Sequence, residues 1–284
     1  MRQSSKQKAA QGVAFTILWI AAIITVGVML FIVGYILFRG TPHITWEFLT
    51  QPPKGTGSEG GIFPMIVNTL VLVFCSLVLA IPIGVLAAVF LTEYSRQGRI
   101  VRFIRATTEN LAGIPSIIFG LFGWTFFGKI LGMKWSMLNG ALTAMIVVLP
   151  TIIRTAEEAL LAVPQSYREG SLGIGATKWQ TTLRVVIPTA APGIFAGIVL
   201  SIGRIVGETA ALLFTLGTAD RIVTSLMDSA TSLSLHLYKL AREGISLDMA
   251  WATAAVLVFL VLILNLCAAW FVRRMNRKRN MKGK

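Results

Sequence analysis

The sequence predicts an all-α polytopic membrane protein with six transmembrane helices, and two observations carry that prediction. The chain of 284 residues is 55% hydrophobic and only 13% charged, a balance outside the range of soluble globular domains. Continuous apolar runs, each long enough to cross about 30 Å of hydrocarbon, recur along the chain. A β-barrel would instead show short segments of alternating polarity, so helices are expected throughout.

The predicted spans have ends that the hydropathy pattern fixes only to within several residues. They cover residues 13–38, 62–91, 107–127, 138–163, 190–216 and 249–272. The third run carries Glu109 and Asn110 near its start, and Pro115 interrupts it. We therefore expect a kinked or partly unwound helix there, packed against protein. Pro82 and Pro150 predict kinks in the second and fourth spans.

The basic residues fall mainly in alternate loops. Eighteen of the 26 lysines and arginines lie before the first span, between the second and third, in residues 154–184, or after the sixth span. The positive-inside rule then predicts that both termini are cytoplasmic. The basic tail, residues 273–284, is expected to anchor at anionic lipid. Because no aromatic residues interleave with its basic ones, we do not expect nucleic acid as a partner.

Three local patterns that could indicate other chemistry are explained by the membrane environment. Residues 13–38 are too long for the apolar part of a cleaved signal peptide and are kept as a span. Cys75 and Cys267 lie in apolar runs, which predicts neither a disulfide nor a metal site. Gly123–Lys129 approximates a phosphate-binding loop, but Ile130 replaces the required Ser or Thr. We therefore expect no nucleotide site and no cofactor in this single-domain chain, residues 1–284.

Two loops on the side opposite the termini are long. Residues 39–61 are rich in Pro and Gly and hold Trp46 and Phe48, which predicts an irregular loop with aromatic anchors at the membrane interface. Residues 218–248 carry apolar residues at mostly helical spacing, which predicts a short helix that lies on the surface or dips back into the bundle. Either loop could contact a partner or simply pack on its own bundle.

The segment 167–188 is too polar to span a membrane and too apolar for a solvated linker. We expect a compact helical hairpin, with Gly173 and Gly175 supplying a flexible or left-handed corner. Thr177 is a plausible N-cap of the second short helix, and Pro188 marks the start of the next span. Such a hairpin can insert in a groove of another protein and transmit a rigid-body movement to the fourth and fifth spans.

This hairpin resembles the cytoplasmic loop by which the permeases of ABC importers contact their ATPases. The family motif is Glu-Ala-Ala, three residues, Gly, nine residues, Ile, one residue, then Leu-Pro. The chain keeps this spacing, with Gly170-Ser171 in place of Ala-Ala, Val185 in place of Ile and Ile187 in place of Leu. The positions that the resemblance implies for ATPase coupling are Glu169, Gly170, Ser171, Gly173, Gly175, Trp179 and Pro188.

The resemblance also implies a fold and a set of partners. The fold would be that of a type I ABC importer permease with six spans and a cytoplasmic coupling-helix hairpin. A separate ATPase dimer would bind ATP and Mg²⁺, and this chain would hydrolyse nothing. A structural alternative is that residues 167–188 only connect two spans.

Within the fifth predicted span, Arg204 and Glu208 are four residues apart and are expected on one helix face. Charges at this depth should face the bundle interior or a wet pathway. One interpretation is structural, with Glu208 neutralising Arg204 at a helix interface. The other is an anion site, because a guanidinium presents forked donors to an oxyanion. Glu208 would then accept the proton of hydrogen phosphate, which sulfate lacks at neutral pH.

Three runs resemble the permease subunits of phosphate-specific ABC importers. They are Gly203–Thr215, Leu111–Leu121 and Leu149–Glu158. The resemblance implies a bacterial cytoplasmic membrane protein that pairs with a homologous permease subunit, as a heterodimer, and receives phosphate from an extracytoplasmic binding protein. The pathway residues that it suggests are Arg204, Glu208, Thr209 and Arg154. Because Arg154 lies near the end of its span, an alternative role for it is contact with lipid phosphates.

Three other functions stay open at this point. The cargo could be another oxyanion, such as sulfate, molybdate or a phosphonate. The chain could be a secondary carrier or channel in which Arg204 and Glu208 form a proton relay, although the hairpin argues against it. A membrane scaffold without transport gives little reason for charges at mid-bilayer.

Overall fold

The computed structural model describes residues 5–55, 57–96 and 98–282 and is mostly helical. The helices are α1 (Ser5–Gly40), α2 (Trp46–Thr50), α3 (Phe63–Val89), α4 (Arg99–Ala112), α5 (Ser116–Gly123), α6 (Met137–Leu161), α7 (Gln165–Gly173), α8 (Lys178–Thr181), α9 (Ile187–Gly207), α10 (Ala210–Thr215), α11 (Leu233–Arg242) and α12 (Leu247–Lys282). A 3₁₀ turn spans Thr41–His43, and π-helical turns span Phe90–Tyr94, Trp124–Ile130 and Thr182–Val186. Two short strands, β1 (Pro53–Lys54) and β2 (Glu59–Gly60), pair antiparallel with Pro53 opposite Gly60.

The described part of the chain contains five helices that are long and apolar enough to cross a membrane. They are Ala14–His43, Phe63–Tyr94, Met137–Leu161, Lys178–Gly207 and Leu247–Trp270. A sixth apolar element is broken, because α4 and the stretch Ser116–Ile130 meet at an angle of 99°. The expected kink in the third span is therefore confirmed, and the break lies beside Pro115, whose ring cannot continue a helix.

The core of the bundle is formed by α3, α6 and α9, with α12 packed alongside. Small residues bring these helices together. Gly84 of α3 lies against Ile152 of α6, where an added Cβ would be 2.6 Å from Cγ2. A Cβ added to Gly120 of α5 would lie 2.8 Å from the backbone oxygen of Ala211 in α10. One face of the broken third span thus packs against protein, as expected, whereas Ile117, Ile118, Leu121 and Phe122 are exposed in this chain. Pro82 and Pro150 lie inside continuous helices.

The bundle has two distinct ends. We call the end that carries α7 and α8 the hairpin end, and the end that carries residues 218–246 the loop end. At the loop end, the first amides of α6 donate to carbonyls of this long loop, Met137 to Asp228 and Leu138 to Leu226, both at 2.8 Å. These bonds satisfy donors that a helix N-terminus leaves free.

The helix within the long loop does not lie on the surface, because α11 is packed into the loop end against α3, α9 and α12. Leu233, Leu235 and Leu240 are buried there. His236 is buried as well, and this burial lowers its pKa to about 4, so that the imidazole is neutral at pH 7. Of the two sequence alternatives for this helix, the one that dips back into the bundle is observed.

The shorter loop, residues 39–61, is more ordered than an irregular linker. It contains a 3₁₀ turn, α2 and the strand pair, and Thr45 caps α2 by accepting from the amide of Phe48 at 3.1 Å. Trp46 is 80% exposed and suits the expected interfacial position, whereas Phe48 is only 3% exposed. The expectation that Phe48 is an interfacial anchor is therefore wrong, because its ring packs with Ile62 and Met65 in a satellite core.

Asn68 of α3 is the main polar connection to the long loop. Its buried side chain donates to the carbonyls of Arg221 at 2.9 Å and Thr231 at 3.4 Å, and accepts from the amide of Val223 at 3.1 Å. We predict that Asn68→Leu lowers the free energy of unfolding by about 3 kcal/mol, because buried backbone groups lose their partners. Thermal unfolding of the purified protein in detergent measures this loss.

The matched control is Asn265→Leu, since Oδ1 of Asn265 is buried without a partner among the described residues. That substitution should be neutral or stabilising. Equal unfolding midpoints for the two variants would contradict the role assigned to Asn68.

Candidate functional site

The fifth span is broken at its candidate site. Helix α9 ends at Gly207, and Glu208 adopts an extended backbone with φ −70° and ψ 126° before α10 begins at Ala210. The prediction of one continuous helix over residues 190–216 is therefore wrong. Thr209 lies in the break itself, where its Oγ1 donates weakly to the carbonyl of Gly207 at 3.4 Å.

Glu208 holds this break from inside. Its carboxylate Oε1 accepts from the amide of Ala211 at 3.1 Å, which caps the first turn of α10. Its backbone carbonyl accepts from Oγ of Ser234 at 2.6 Å, so that α11 also supports the break. The side chain is buried. No protein donor among the described residues forms a hydrogen bond with Oε2, which leaves half of the carboxylate available.

Arg204 does not pair with Glu208. Its Nη1 donates to Oγ1 of Thr151 in α6 at 3.5 Å, and within the described residues no ion pair involves its guanidinium. The expectation that Arg204 and Glu208 lie on one helix face is wrong, because the backbone leaves the helix at Glu208. The structural alternative, in which Glu208 neutralises Arg204, is therefore not observed. Thr151 lies about 14 residues into α6, about 21 Å along its axis, so Arg204 contacts the middle of the bundle.

The glycines of α9 divide into two pairs with different neighbours. An added Cβ at Gly193 would lie 2.5 Å from Ala159, and one at Gly197 would collide with Thr155. These two positions bring α9 against α6. At Gly203 and Gly207, by contrast, no described atom lies within 4 Å of an added Cβ. The face of α9 next to the break is therefore open in this chain.

A cleft of about 400 Å³ extends from Thr151 toward the hairpin end, between α4 and α6. Arg154 borders it, with a side chain that is 67% exposed and that donates to Glu158 at 3.1 Å. Arg105 of α4 borders it too, and its Nε donates to Glu157 at 2.6 Å. Arg154 thus contacts neither Arg204 nor Glu208, but Thr151 belongs to both the cleft and the Arg204 contact. The sequence analysis did not single out Thr151.

The hairpin has the expected construction. Thr177 caps α8 in a reciprocal capping box with Gln180, and Gly175 is left-handed with φ +87°. Gly173 ends α7 in a helical conformation, so the corner is provided by Gly175. Ser171 and Thr181 share a hydrogen bond of 2.9 Å that joins the two short helices.

The second half of the hairpin differs from expectation in one respect. Helix α8 continues through the π-helical turn Thr182–Val186 directly into α9, as one helical element from Lys178 to Gly207. Pro188 lies in the first turn of α9, as predicted, but the helical element runs through it from Lys178, so it does not begin a separate helix. Movement of α8 is therefore transmitted directly to the span that carries Arg204.

The outer surface of the hairpin exposes large apolar side chains. Ile174 at the tip is 87% exposed and Trp179 is 55% exposed. Glu169 and Gly170 are exposed beside them. Exposed apolar side chains at the end of a folded hairpin are typical of a docking surface.

The inner surface of the hairpin carries a contact that the sequence analysis did not identify. Arg168 of α7 donates through Nη2 to Glu93, at the end of the helical run of α3, at 2.8 Å. The two residues are 75 positions apart, and only the polar pattern of residues 167–184 hinted that Arg168 has a partner.

Comparisons with known proteins agree with this geometry. The family described as binding-protein-dependent transport system inner membrane component matches residues 80–280. The "Phosphate transport system permease protein PstA 1" of Mycobacterium tuberculosis H37Rv is 33% identical, over 97% of this chain and 92% of its own length. The "Probable ABC transporter permease protein YqgI" of Bacillus subtilis is 32% identical, over 88% and 91% of the two chains. The resemblance to phosphate permeases is confirmed by these relatives.

Solved structures confirm the fold class. A chain of a bacterial ABC transporter that imports the acidic polysaccharide alginate superimposes with a TM-score of 0.65 at 18% identity, covering 94% of this chain and 99% of that one. A chain of the MetNI methionine ABC transporter, in an inward-facing conformation, superimposes with a TM-score of 0.59 at 22% identity, covering 76% and 94%. At these identities the likeness concerns the fold alone.

The left-handed corner of the hairpin gives a direct test of its construction. We predict that Gly175→Ala lowers the free energy of unfolding by about 1–2 kcal/mol, because an L-residue is disfavoured at φ +87°. Gly170→Ala is the matched control, since this glycine also has open space around it but lies within α7. It should be neutral or stabilising, by up to about 1 kcal/mol.

Thermal unfolding of both variants in detergent measures the difference. If Gly175→Ala is as stable as Gly170→Ala, the corner is not held in the left-handed conformation.

Proposed function

This chain belongs to the family of binding-protein-dependent transport system inner membrane components, and we propose that it is a permease subunit of an ATP-driven importer of inorganic phosphate. The guanidinium of Arg204 is the observation that supports an anionic cargo. It is half-buried near the middle of the bundle and has no acidic partner among the described residues. A permanent charge at membrane depth is costly unless an ion of opposite sign or water shares it.

The break at Glu208 supports a pathway next to this charge. Gly203 and Gly207 leave the neighbouring face of α9 open, and the exposed end of α9 provides room for a small oxyanion beside Arg204. A homologous permease subunit would close the other side of this face. The phosphate pathway would thus run between the two subunits, with Arg204, Glu208 and Thr209 on its wall.

Glu208 is the residue that we assign to selectivity. Its Oε1 is occupied by the amide of Ala211, whereas Oε2 can accept the hydroxyl of hydrogen phosphate. Sulfate at neutral pH has no proton to donate and would meet only repulsion. A buried acceptor that one cargo satisfies and another leaves unpaired discriminates strongly.

The cleft at the hairpin end gives phosphate a cytoplasmic exit. Thr151 lies at its inner limit beside Arg204, and Arg154 lies on its wall with an exposed side chain. Arg154 is paired with Glu158, so it would interact only transiently with a departing anion. We therefore assign Arg154 a minor role, in the exit and not in binding.

The remaining parts of the importer follow from the same proposal. The exposed apolar tip of the hairpin would insert into a groove of an ATPase dimer, which binds ATP and Mg²⁺. An extracytoplasmic phosphate-binding protein would deliver the cargo at the loop end. This orientation places both termini on the cytoplasmic side of a bacterial inner membrane, in agreement with the distribution of basic residues.

The binding role of Arg204 is tested by Arg204→Ala in the full complex. Loss of a charge-assisted, poorly hydrated contact should lower phosphate uptake by about 100-fold or more, while the subunits still assemble. Arg154→Ala is the matched control and should reduce uptake only slightly. Near-normal uptake by Arg204→Ala, with complex of normal composition, would remove the assignment.

The selectivity role of Glu208 is tested by Glu208→Gln. The amide oxygen of glutamine still caps Ala211, so the break should persist, but the carboxylate that accepts the phosphate proton is lost. We expect the preference for phosphate over sulfate to fall by about tenfold or more, measured by competition between labelled anions in proteoliposomes. An unchanged ratio would contradict the selectivity role and leave Glu208 acting only on the break.

A further inference from the structure

The guanidinium of Arg168 lies between the hairpin and the end of α3. Its Nη2 donates to Glu93 Oε1 at 2.8 Å, and its Nε donates to both carboxylate oxygens, at 3.2 and 3.4 Å. The side chains are only 14% and 9% exposed. Two partly buried, oppositely charged groups with several hydrogen bonds fix a geometry more firmly than a surface pair does.

The same guanidinium also reaches the end of α6. Its Nη1 donates to the carbonyl of Val163 at 2.6 Å, and its Nη2 donates to that of Leu160 at 2.8 Å. The last carbonyls of a helix have no partners within it, and a cation is favourable beside them. The side chain of Arg168 therefore connects α7 to the ends of two core helices. Its contact at the end of α3 is 75 residues away in sequence, and its contacts at the end of α6 are 5 and 8 residues away.

The covalent connections of the hairpin do not supply this link. Helix α8 is continuous with α9, but α7 is joined to α6 only through residues 162–164, which are not helical. A pocket of about 650 Å³ lies behind α7, bounded by both helix ends. Without Arg168, α7 could tilt into this space when its outer face is pushed.

We propose that Arg168 is a positioning residue that makes the hairpin move as one body with α3 and α6. The inference rests on the proposed function, because it supposes that an ATPase pushes on the outer face of the hairpin. That push reaches α9 through the continuous helix from α8. It reaches α3 and α6 through Arg168, so that all three core helices turn together around Arg204.

A cargo-independent experiment tests this rigidity in the assembled complex. Spin labels are placed at Ser166→Cys on α7 and Leu86→Cys on α3, both exposed, with Cys75 and Cys267 replaced. The distance between the labels is measured without nucleotide and in an ATP-trapped state. With Arg168 present, we expect one narrow distribution that is the same in both states. With Arg168→Gln, we expect a distribution that broadens or shifts upon trapping.

Arg184→Gln is the matched control, because it removes an exposed arginine of the same structural unit and should leave the distribution narrow. Arg168→Gln alone leaves the carboxylate of Glu93 buried without its partner, which could unfold the protein. The double variant with Glu93→Gln removes that charge and so separates loss of the connection from loss of stability. The double variant should stay mobile while its unfolding midpoint recovers. Distributions for Arg168→Gln and the double variant that match the parent in both states would overturn the proposal.

Replacement of Arg168 should weaken the coupling between ATP hydrolysis and phosphate transport and leave ATP hydrolysis itself intact. In proteoliposomes, Arg168→Gln should lower the phosphate transported per ATP hydrolysed by about fivefold or more, while Arg204→Ala should abolish transport whatever the rigidity of the hairpin. An unchanged ratio in Arg168→Gln would overturn the proposal. A wild-type complex that hydrolyses ATP but transports no phosphate would instead refute the proposed cargo, and the spin-label distances would still decide the role of Arg168.

Discussion

Two hydrogen bonds to Glu208, from the amide of Ala211 and the hydroxyl of Ser234, hold the break between α9 and α10. A backbone interruption inside a bilayer is tolerated only where protein or water satisfies its polar groups. Here the support comes from α10 and α11, which are themselves packed into the bundle. The break separates Arg204 from Glu208 and leaves the guanidinium without a counter-ion among the described residues. It lies next to the open face of α9 on which the proposed pathway depends.

The two ends of the bundle are held by different sets of contacts, although the loop end also contains an ion pair, Lys239 with Asp220 at 3.6 Å. At the loop end, neutral hydrogen bonds from Asn68 and from the first turn of α6 bind the long loop to the core. At the hairpin end, charged contacts connect separate helices, Arg168 with Glu93 and Arg105 with Glu157. This arrangement suits an alternating-access cycle in which the hairpin end is driven by an ATPase and the loop end responds.

Local patterns in the sequence predicted most of the helices and their ends. They predicted fewer of the contacts between helices. The capping residue Thr177 and the left-handed Gly175 depend on neighbouring residues, and both are observed. Of the six predicted spans, four are continuous helices, whereas the third is broken beside Pro115 and the fifth at Glu208. The break at Glu208 was missed because residues 190–216 form one mainly apolar run whose only charged residues are Arg204 and Glu208. The residue that supports the break, Ser234, is 26 residues away. Arg168 was missed for the same reason, since its partner Glu93 lies on another helix.

Water accessibility of the open face of α9 tests the proposed pathway most directly. Gly203→Cys, in a complex without Cys75 and Cys267, would be treated with a water-soluble thiol reagent with and without phosphate, and buried Ala144→Cys would serve as the unreactive control. We predict that the cysteine at position 203 reacts and that phosphate, but not sulfate, slows its labelling. Two results would contradict a phosphate pathway beside Arg204. One is a cysteine at position 203 that stays unreactive both with and without ATP, and the other is a labelling rate that phosphate leaves unchanged.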